Sequence, residues 1–228
     1  MSSMSPALPK AHKDRGMEGR VAKWYATNTG KSLDEFSTLA RRVAGELSAT
    51  KGEDCRVLEV APGPGYFSIE LAKLGPYSVT GLDISHTFVE IASKKAAEAG
   101  VRVDFRQGNA SSMPFADDTF DFLLCRAAFK NFGQPVRALQ EMCRVLKPGG
   151  RGLIIDLRGD ASPESMNRAV DAMGLNPVNK VVTKLIFRFS LVKNAYTREQ
   201  FEHMLAQASF RSLDIQATDM GFEIWMTK

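Results

Sequence analysis

Apolar residues first fall into register at Leu33, Phe36, Leu39, Ala40, Val43 and Leu47, which share one helical face behind the capping sequence SLDE from Ser32. This spacing predicts an amphipathic helix ending near Leu47. The period then switches repeatedly between two and 3.6. Strand-like CRVLEVA (55–61), helical YFSIELAKL (66–74) and strand-like YSVTGLD (77–83) come first. Helical TFVEIASKKAAEA, stopped by Gly100, strands VRVDFR and FDFLLC, helix PVRALQEMCRVLK with Pro135 in its first turn, and strand GLIIDL follow. A second capping box, TREQ at 197–200, opens a helix through Ala208, and FRSLDIQA and GFEIWMT close a hairpin around Asp219, Met220 and Gly221. Strands alternating with helices make a parallel sheet covered on both faces. The expected fold is therefore α/β: a three-layer α/β/α, doubly wound, mostly parallel seven-stranded sheet with a C-terminal hairpin. In such sheets ligands lie beyond the carboxyl ends of the strands.

Two regions depart from the rhythm. Residues 1–18 are polar, carry Pro6, Pro9 and Gly16, and offer little to bury, so a loosely ordered tail is expected there. Residues 160–194, with Pro163, Pro177 and two short helix-like pieces, read as a cap whose Met166, Met173, Leu175, Ile186 and Phe187 cover an apolar small molecule. The expectation is one domain over 19–228 bearing this cap. Trp24 and Tyr25 precede the first predicted helix, either as a segment folding over a ligand or as a hydrophobic staple.

Composition narrows the class. A chain of 228 residues, 44% hydrophobic and 25% charged, supports one globular domain and excludes disordered and collagen-like classes. The net charge of +4 comes from scattered Lys and Arg without a run of five, which describes a solvated basic surface rather than a nucleic-acid footprint. Cys55, Cys125 and Cys143 form no CxxC pair and no zinc spacing, and their odd number fits a reducing, cytoplasmic setting. No stretch of about 18 apolar residues is present, so no membrane span is expected.

The chemistry concentrates in VLEVAPGPGYFSIELA. A strand ends at Glu59, passes Ala61, Gly63 and Gly65, and enters a helix whose free N–H groups suit the carboxylate of an amino-acid-like ligand. A nicotinamide site also uses a glycine turn here. However, Ser68 stands where its fingerprint wants a third Gly or Ala, Glu59 would repel a pyrophosphate, and no Tyr-x-x-x-Lys pair is present. Asp83, at the end of the second strand, is placed to accept from both hydroxyls of a ribose.

Taken together, EVAPGPG, GLDIS, QGNASSMPF, FDFLLC and LKPGG, spread over roughly residues 50–157, resemble the class I S-adenosylmethionine-dependent methyltransferases, a Rossmann-like family. The resemblance implies S-adenosylmethionine as cofactor and S-adenosylhomocysteine as product. It places Glu59, Ala61, Gly63 and Gly65 around the methionine part, Asp83 with Ile84 on the ribose, and Gly108, Asn109 and Ala110 along the adenine, with Tyr25 and Arg126 completing the cofactor set. Ala61 departs from the family, which usually has glycine there. The stretch CRAAFKNF is similar to the quinone-type C-methyltransferases, which implies Phe129, Lys130, Asn131 and Phe132 beside the transferring methyl; Arg158, at the end of the fifth strand, and Phe187, in the cap, are further acceptor candidates. The alternative is a helix-initiating turn in which Asn131 caps and Phe129 and Phe132 pack in the core.

Methyl transfer from a sulfonium is an in-line displacement, for which proximity and orientation supply roughly 7–11 kcal/mol. A base is needed chiefly when the acceptor must lose a proton; the candidates are His86, Lys130, Asp156 and Tyr196, although Asp156 and Arg158 could instead pair with each other. The expected acceptor is a small apolar or conjugated molecule, and the expected protein a monomer or homodimer. Beside a binding or regulatory protein on the same fold, in which the intact Glu59, Gly63, Gly65 and Asp83 would still hold the cofactor, two rival functions remain. One is a methyltransferase acting on RNA, against which CRAAF stands where an Asn/Asp-Pro-Pro-aromatic tetrapeptide is usual. The other is an enzyme of the same fold that uses the bound sulfonium for cyclisation or isomerisation without transfer.

Overall fold

The computed structural model describes residue 14 and residues 16–30, 33–48, 55–172 and 195–228. Seven strands form one sheet in the order β3-β2-β1-β4-β5-β7-β6. They are β1 (Arg56–Val60), β2 (Ser78–Asp83), β3 (Asp104–Gln107), β4 (Phe120–Arg126), β5 (Leu146–Leu157), β6 (Ser212–Ala217) and β7 (Gly221–Thr227). The first five are mutually parallel, and β7 runs antiparallel between β5 and β6. The predicted closing hairpin is present, its turn held by Gly221 N–H on Thr218 Oγ1 at 3.0 Å and Thr218 N–H on the Gly221 carbonyl at 2.9 Å.

Period-two alternation decides which helix covers which face. Val57, Val79, Phe122, Leu124 and Leu153 point to the face carrying α2 (Leu33–Ser48) and α3 (Tyr66–Ala72). Their neighbours Leu58, Val60, Leu123, Cys125 and Ile154 point to the other face, under α5 (Pro135–Val145) and α7 (Arg198–Leu205). Helix α4 (His86–Glu98) connects β2 to β3 and packs beside α3, where Lys95 Nζ lies 5.0 Å from the Tyr66 ring. All five parallel strands thus aim their carboxyl ends at one edge, where β1 and β4 lie side by side between chain crossovers that diverge to opposite faces.

Several boundaries moved, each for a local reason. α4 ends in a Schellman arrangement, with Val101 N–H on the Ala96 carbonyl at 3.1 Å, so β3 begins at Asp104 rather than at Val101. The predicted helix through Lys147 stops at Val145, because Leu146 is already extended and Pro148 cannot continue a helix. β5 consequently starts earlier, with Leu146 opposite Phe120 and Arg151 opposite Phe122. A helix that the pattern did not reveal, α1 (Gly19–Thr29), precedes α2; its buried positions are the small Ala22 and Ala26, while Val21 and Trp24 face solvent.

Within the segment expected as a loose tail, Met17 and Glu18 are bonded to the start of α4. Glu18 accepts from the backbone N–H groups of His86 and Thr87, both at 3.0 Å, and the Met17 carbonyl accepts from Ser85 Oγ at 2.5 Å. These two residues are tied down because they satisfy otherwise free donors at the start of α4. Of the cap, residues 160–172 are described and contain α6 (Pro163–Ala172), which Arg168 ties to Asp219 beside the β6–β7 turn at 2.9 Å. Met173, Leu175, Ile186 and Phe187 lie outside the described residues, as does the capping Ser32.

Candidate functional site

A cavity of about 580 Å³ opens at the carboxyl ends of β1, β2 and β4. β1 delivers Glu59 to its wall and then turns. Ala61 N–H still continues the ladder to the Leu82 carbonyl at 2.8 Å, but Ala61 itself has φ of 56°. Left-handed backbone at a residue with a Cβ costs on the order of 1 kcal/mol, so Ala61 occupies under strain a conformation natural to glycine. Gly63, with φ of 54°, also lines the cavity, and a Cβ there would meet nothing nearer than Tyr25 at 4.0 Å.

Gly65 differs. It lies outside the cavity lining; a Cβ there would fall 2.6 Å from the Phe105 ring and 2.9 Å from the Ala92 Cβ, so its missing side chain serves the packing of α3 against α4 and β3. Its φ of 77° is the third left-handed position of the bend, after Ala61 and Gly63, and swings the chain into α3. Gly65 also offers α3 no capping side chain, and Glu59 supplies what is missing. One carboxylate oxygen of Glu59, Oε2, accepts Ser68 N–H at 3.1 Å and Ser68 Oγ at 2.5 Å. Burial pushes the Glu59 carboxyl from 4.5 up to about 7, against the pull of the Ser68 bonds and the Arg126 charge.

Asp83 sits at the end of the neighbouring strand, 5% exposed. Its Oδ2 accepts Gly63 N–H at 2.9 Å and its Oδ1 accepts Ser85 N–H at 2.8 Å, so the ends of β1 and β2 are stitched together through this one side chain. Burial raises its pKa, and these backbone bonds oppose the rise. Each carboxylate oxygen keeps a further lone pair for a ligand donor.

The rest of the expected cofactor set shares the cavity: Tyr25, Ala61, Ile84, Gly108, Asn109, Ala110 and Arg126 all line it. Tyr25 meets Phe88 edge-on at 5.8 Å, joining α1 to α4 at the rim rather than stapling α2. The Arg126 guanidinium lies 4.5 Å from the Phe36 ring centre and bonds Glu35 at 2.9 Å. Phe36, Phe88 and Phe132 join the wall, and so does Asp14. Phe132 belongs to the stretch that the sequence already placed beside the methyl group, whereas sequence reasoning missed Phe36, Phe88 and Asp14 as site residues. Phe36 and Phe88 carry the apolar spacing of core positions, and Asp14 lies in a segment with no pattern at all.

The catalytic and acceptor candidates fare differently. None of Lys130, Asp156, His86, Tyr196, Phe129 and Arg158 lines the cavity. Lys130 Nζ and Asp156 Oδ1 form an ion pair at 3.0 Å, with side chains 10% and 1% exposed, so both are engaged in holding the turn after β4 to β5. Arg158 pairs with Asp160 at 2.7 Å, not with Asp156. His86 is exposed at the start of α4, 3.7 Å from Glu90. Tyr196 and Phe129 are buried in one aromatic cluster, their rings 5.9 Å apart, with Phe201 stacked on Phe129 at 5.3 Å. Burial and the Asp156 charge raise the Tyr196 pKa. Phe129 therefore follows the packing alternative. Asn131 does not cap α5, whose N-cap is Gln134; it lines the cavity with Phe132. Phe187 lies outside the described residues.

Among the described residues no helix is long and apolar enough to cross a membrane, and no group of three or more His, Cys, Asp or Glu side chains could hold a metal ion.

Comparison with known proteins places this geometry. The pattern of the methyltransferase domain family matches residues 58–154. The ubiquinone/menaquinone biosynthesis C-methyltransferase of Bdellovibrio bacteriovorus is 32% identical over 67% of this chain and 65% of its own length. The demethylmenaquinone methyltransferase of Chlorobaculum parvum is 30% identical over 70% of this chain and 67% of its own length. Matches to several such relatives span only 40–65% of their length. Among solved structures, a SAM-dependent methyltransferase from Aquifex aeolicus shares the fold with a TM-score of 0.61 at 19% identity, covering 86% of this chain and 98% of that one.

Proposed function

Because the chain belongs to the class I S-adenosylmethionine-dependent methyltransferases, we propose that its cavity binds S-adenosylmethionine and directs the methyl group to a small apolar or conjugated acceptor. The observation that carries this reading is the pair of buried carboxylates, Glu59 and Asp83, at the ends of adjacent strands on either side of the side-chain-free Gly63. The donor set fits the cofactor. Glu59 accepts from an ammonium, the Gly63 backbone lies open to close approach, and Asp83 has lone pairs for a ribose diol. The bound sulfonium supplies an electrophilic methyl carbon.

This chain's residues contribute position and dryness. Phe36, Phe132, Tyr25 and Phe88 give the cavity its apolar wall, and Arg126 is the cationic side chain among the described lining residues. With His86, Lys130, Asp156 and Tyr196 elsewhere, the reading is an enzyme that orients an electron-rich acceptor, whose ring proton leaves to water once the methyl is attached. The names of the relatives support an acceptor of the quinone precursor type.

Incubation with methyl-labelled S-adenosylmethionine and a cell extract tests the proposal. Label is expected in a small apolar molecule. Label in RNA, or a changed product without label, contradicts it and selects one of the two rival functions. Asp83→Asn is expected to weaken S-adenosylhomocysteine binding by about 1.5–3 kcal/mol by calorimetry, because an ionised acceptor is lost. Unchanged affinity would place the ribose elsewhere.

A further inference from the structure

Asn109 is oriented at both ends of its amide. Its Oδ1 accepts Ser111 N–H at 2.8 Å, within the loop after β3, and its Nδ2 donates to Asp14 Oδ2 at 3.3 Å. The acceptor end spends one of its two lone pairs on the loop, and the end turned toward Asp14 is a donor, so on that side Asn109 presents no acceptor. A donor cannot receive the hydrogens of an exocyclic amine.

Asp14 offers what Asn109 lacks. It lines the same cavity, and its Oδ1 accepts Gly133 N–H at 2.7 Å from the turn that leads into α5. A Cβ at Gly133 would lie 2.8 Å from the Asp14 carboxyl carbon, so a bare backbone is required for the carboxylate to rest there. The two donors come from different loops, one after β3 and one after β4, and both carboxylate oxygens retain lone pairs. Asp14 thus bridges the loop after β3 and the turn after β4, on the wall that also carries Glu59 and Asp83.

We propose that Asp14 accepts from the 6-amino group of the adenine ring and thereby selects an aminopurine over an oxopurine nucleoside. This assignment rests on the reading that the cavity takes an adenosyl sulfonium. A carboxylate facing the 6-position attracts N–H hydrogens and repels a carbonyl oxygen, so the group discriminates twice.

The test is calorimetric titration of the full chain with S-adenosylhomocysteine and with S-inosylhomocysteine, which differs by an oxo group at position 6. The unaltered protein is expected to favour the adenosyl compound by at least about tenfold, the equivalent of one charge-assisted hydrogen bond. Asp14→Ala is expected to bring the two affinities to within about threefold of each other, by weakening the adenosyl compound while sparing the inosyl one. Asp14→Asn, which presents both a donor and an acceptor, is expected to bind the inosyl compound better than the unaltered protein does. A preference left intact in both variants, or an equal loss for both compounds, overturns the assignment while leaving the proposed function standing. Failure of the unaltered protein to bind either compound overturns the proposed function and the assignment with it.

Discussion

Lys130→Met is expected to destabilise the protein by about 3–5 kcal/mol, because it leaves the Asp156 carboxylate buried without its cation. Asp156 is 1% exposed at its side chain, and its remaining partners are the backbone N–H groups of Lys130 at 3.0 Å and Leu157 at 2.7 Å. Those donors keep the carboxyl hydrogen-bonded but supply no full positive charge. Lys130 Nζ also donates to the Ala127 carbonyl at 2.9 Å, so the loss loosens the turn from both ends. Urea denaturation measures the effect. Changing Asp156 to Leu in the same chain is expected to recover part of it, since replacing both partners removes the orphaned charge. A Lys130→Met midpoint equal to that of the unaltered protein would show that the pair contributes nothing. Asn131 and Phe132 leave the same turn to line the cavity, so acceptor KM should rise with the destabilisation.

Glu59→Gln is expected to move stability and binding in opposite directions. Burial lifts the Glu59 carboxyl from 4.5 to about 7, so the folded protein holds this proton more tightly than the unfolded chain does. The stabilisation from its neutral form is complete below pH 4.5 and is lost as pH rises through about 7. Glutamine copies the neutral form at every pH. At pH 8 the variant should therefore be more stable by roughly 3 kcal/mol, while the two proteins converge near pH 4. S-adenosylmethionine affinity of the unaltered protein should climb with pH through the same window, because an ammonium ligand favours the ionised carboxylate. The variant should bind about tenfold or more weakly at pH 8, with no such climb. A stability difference that is constant from pH 4 to pH 8 would mean that Glu59 is ionised throughout.

The strand-by-strand alternation and the glycine bend were legible because each is local. Periodicity assigns Val57 and Leu58 to opposite faces without knowledge of the partners, and Glu59 and Asp83 are found by their place at strand ends. What stayed hidden depends on distance along the chain. Lys130 and Asp156, 26 residues apart, look like separate reactive groups until the parallel β4–β5 pairing draws them into one ion pair. Phe129 is buried away from the cavity while Phe132, three positions on, joins the wall; that choice is made by the packing of Tyr196 and Phe201 from a later part of the chain. Asp14 was invisible because its partners are a backbone N–H in one distant loop and an amide in another, and no local pattern encodes such a bridge. Helix α1 escaped because alanines fill its buried positions, leaving its larger apolar residues on the wet side.

The bond from the Ser68 amide to Glu59 connects the electrical state of the cavity wall to the backbone of α3. An amide proton resonates according to the charge on its acceptor, which makes this one a built-in spectroscopic gauge. In the ligand-free protein its resonance should drift as Glu59 ionises around pH 7, whereas a bound cation should pin it in place.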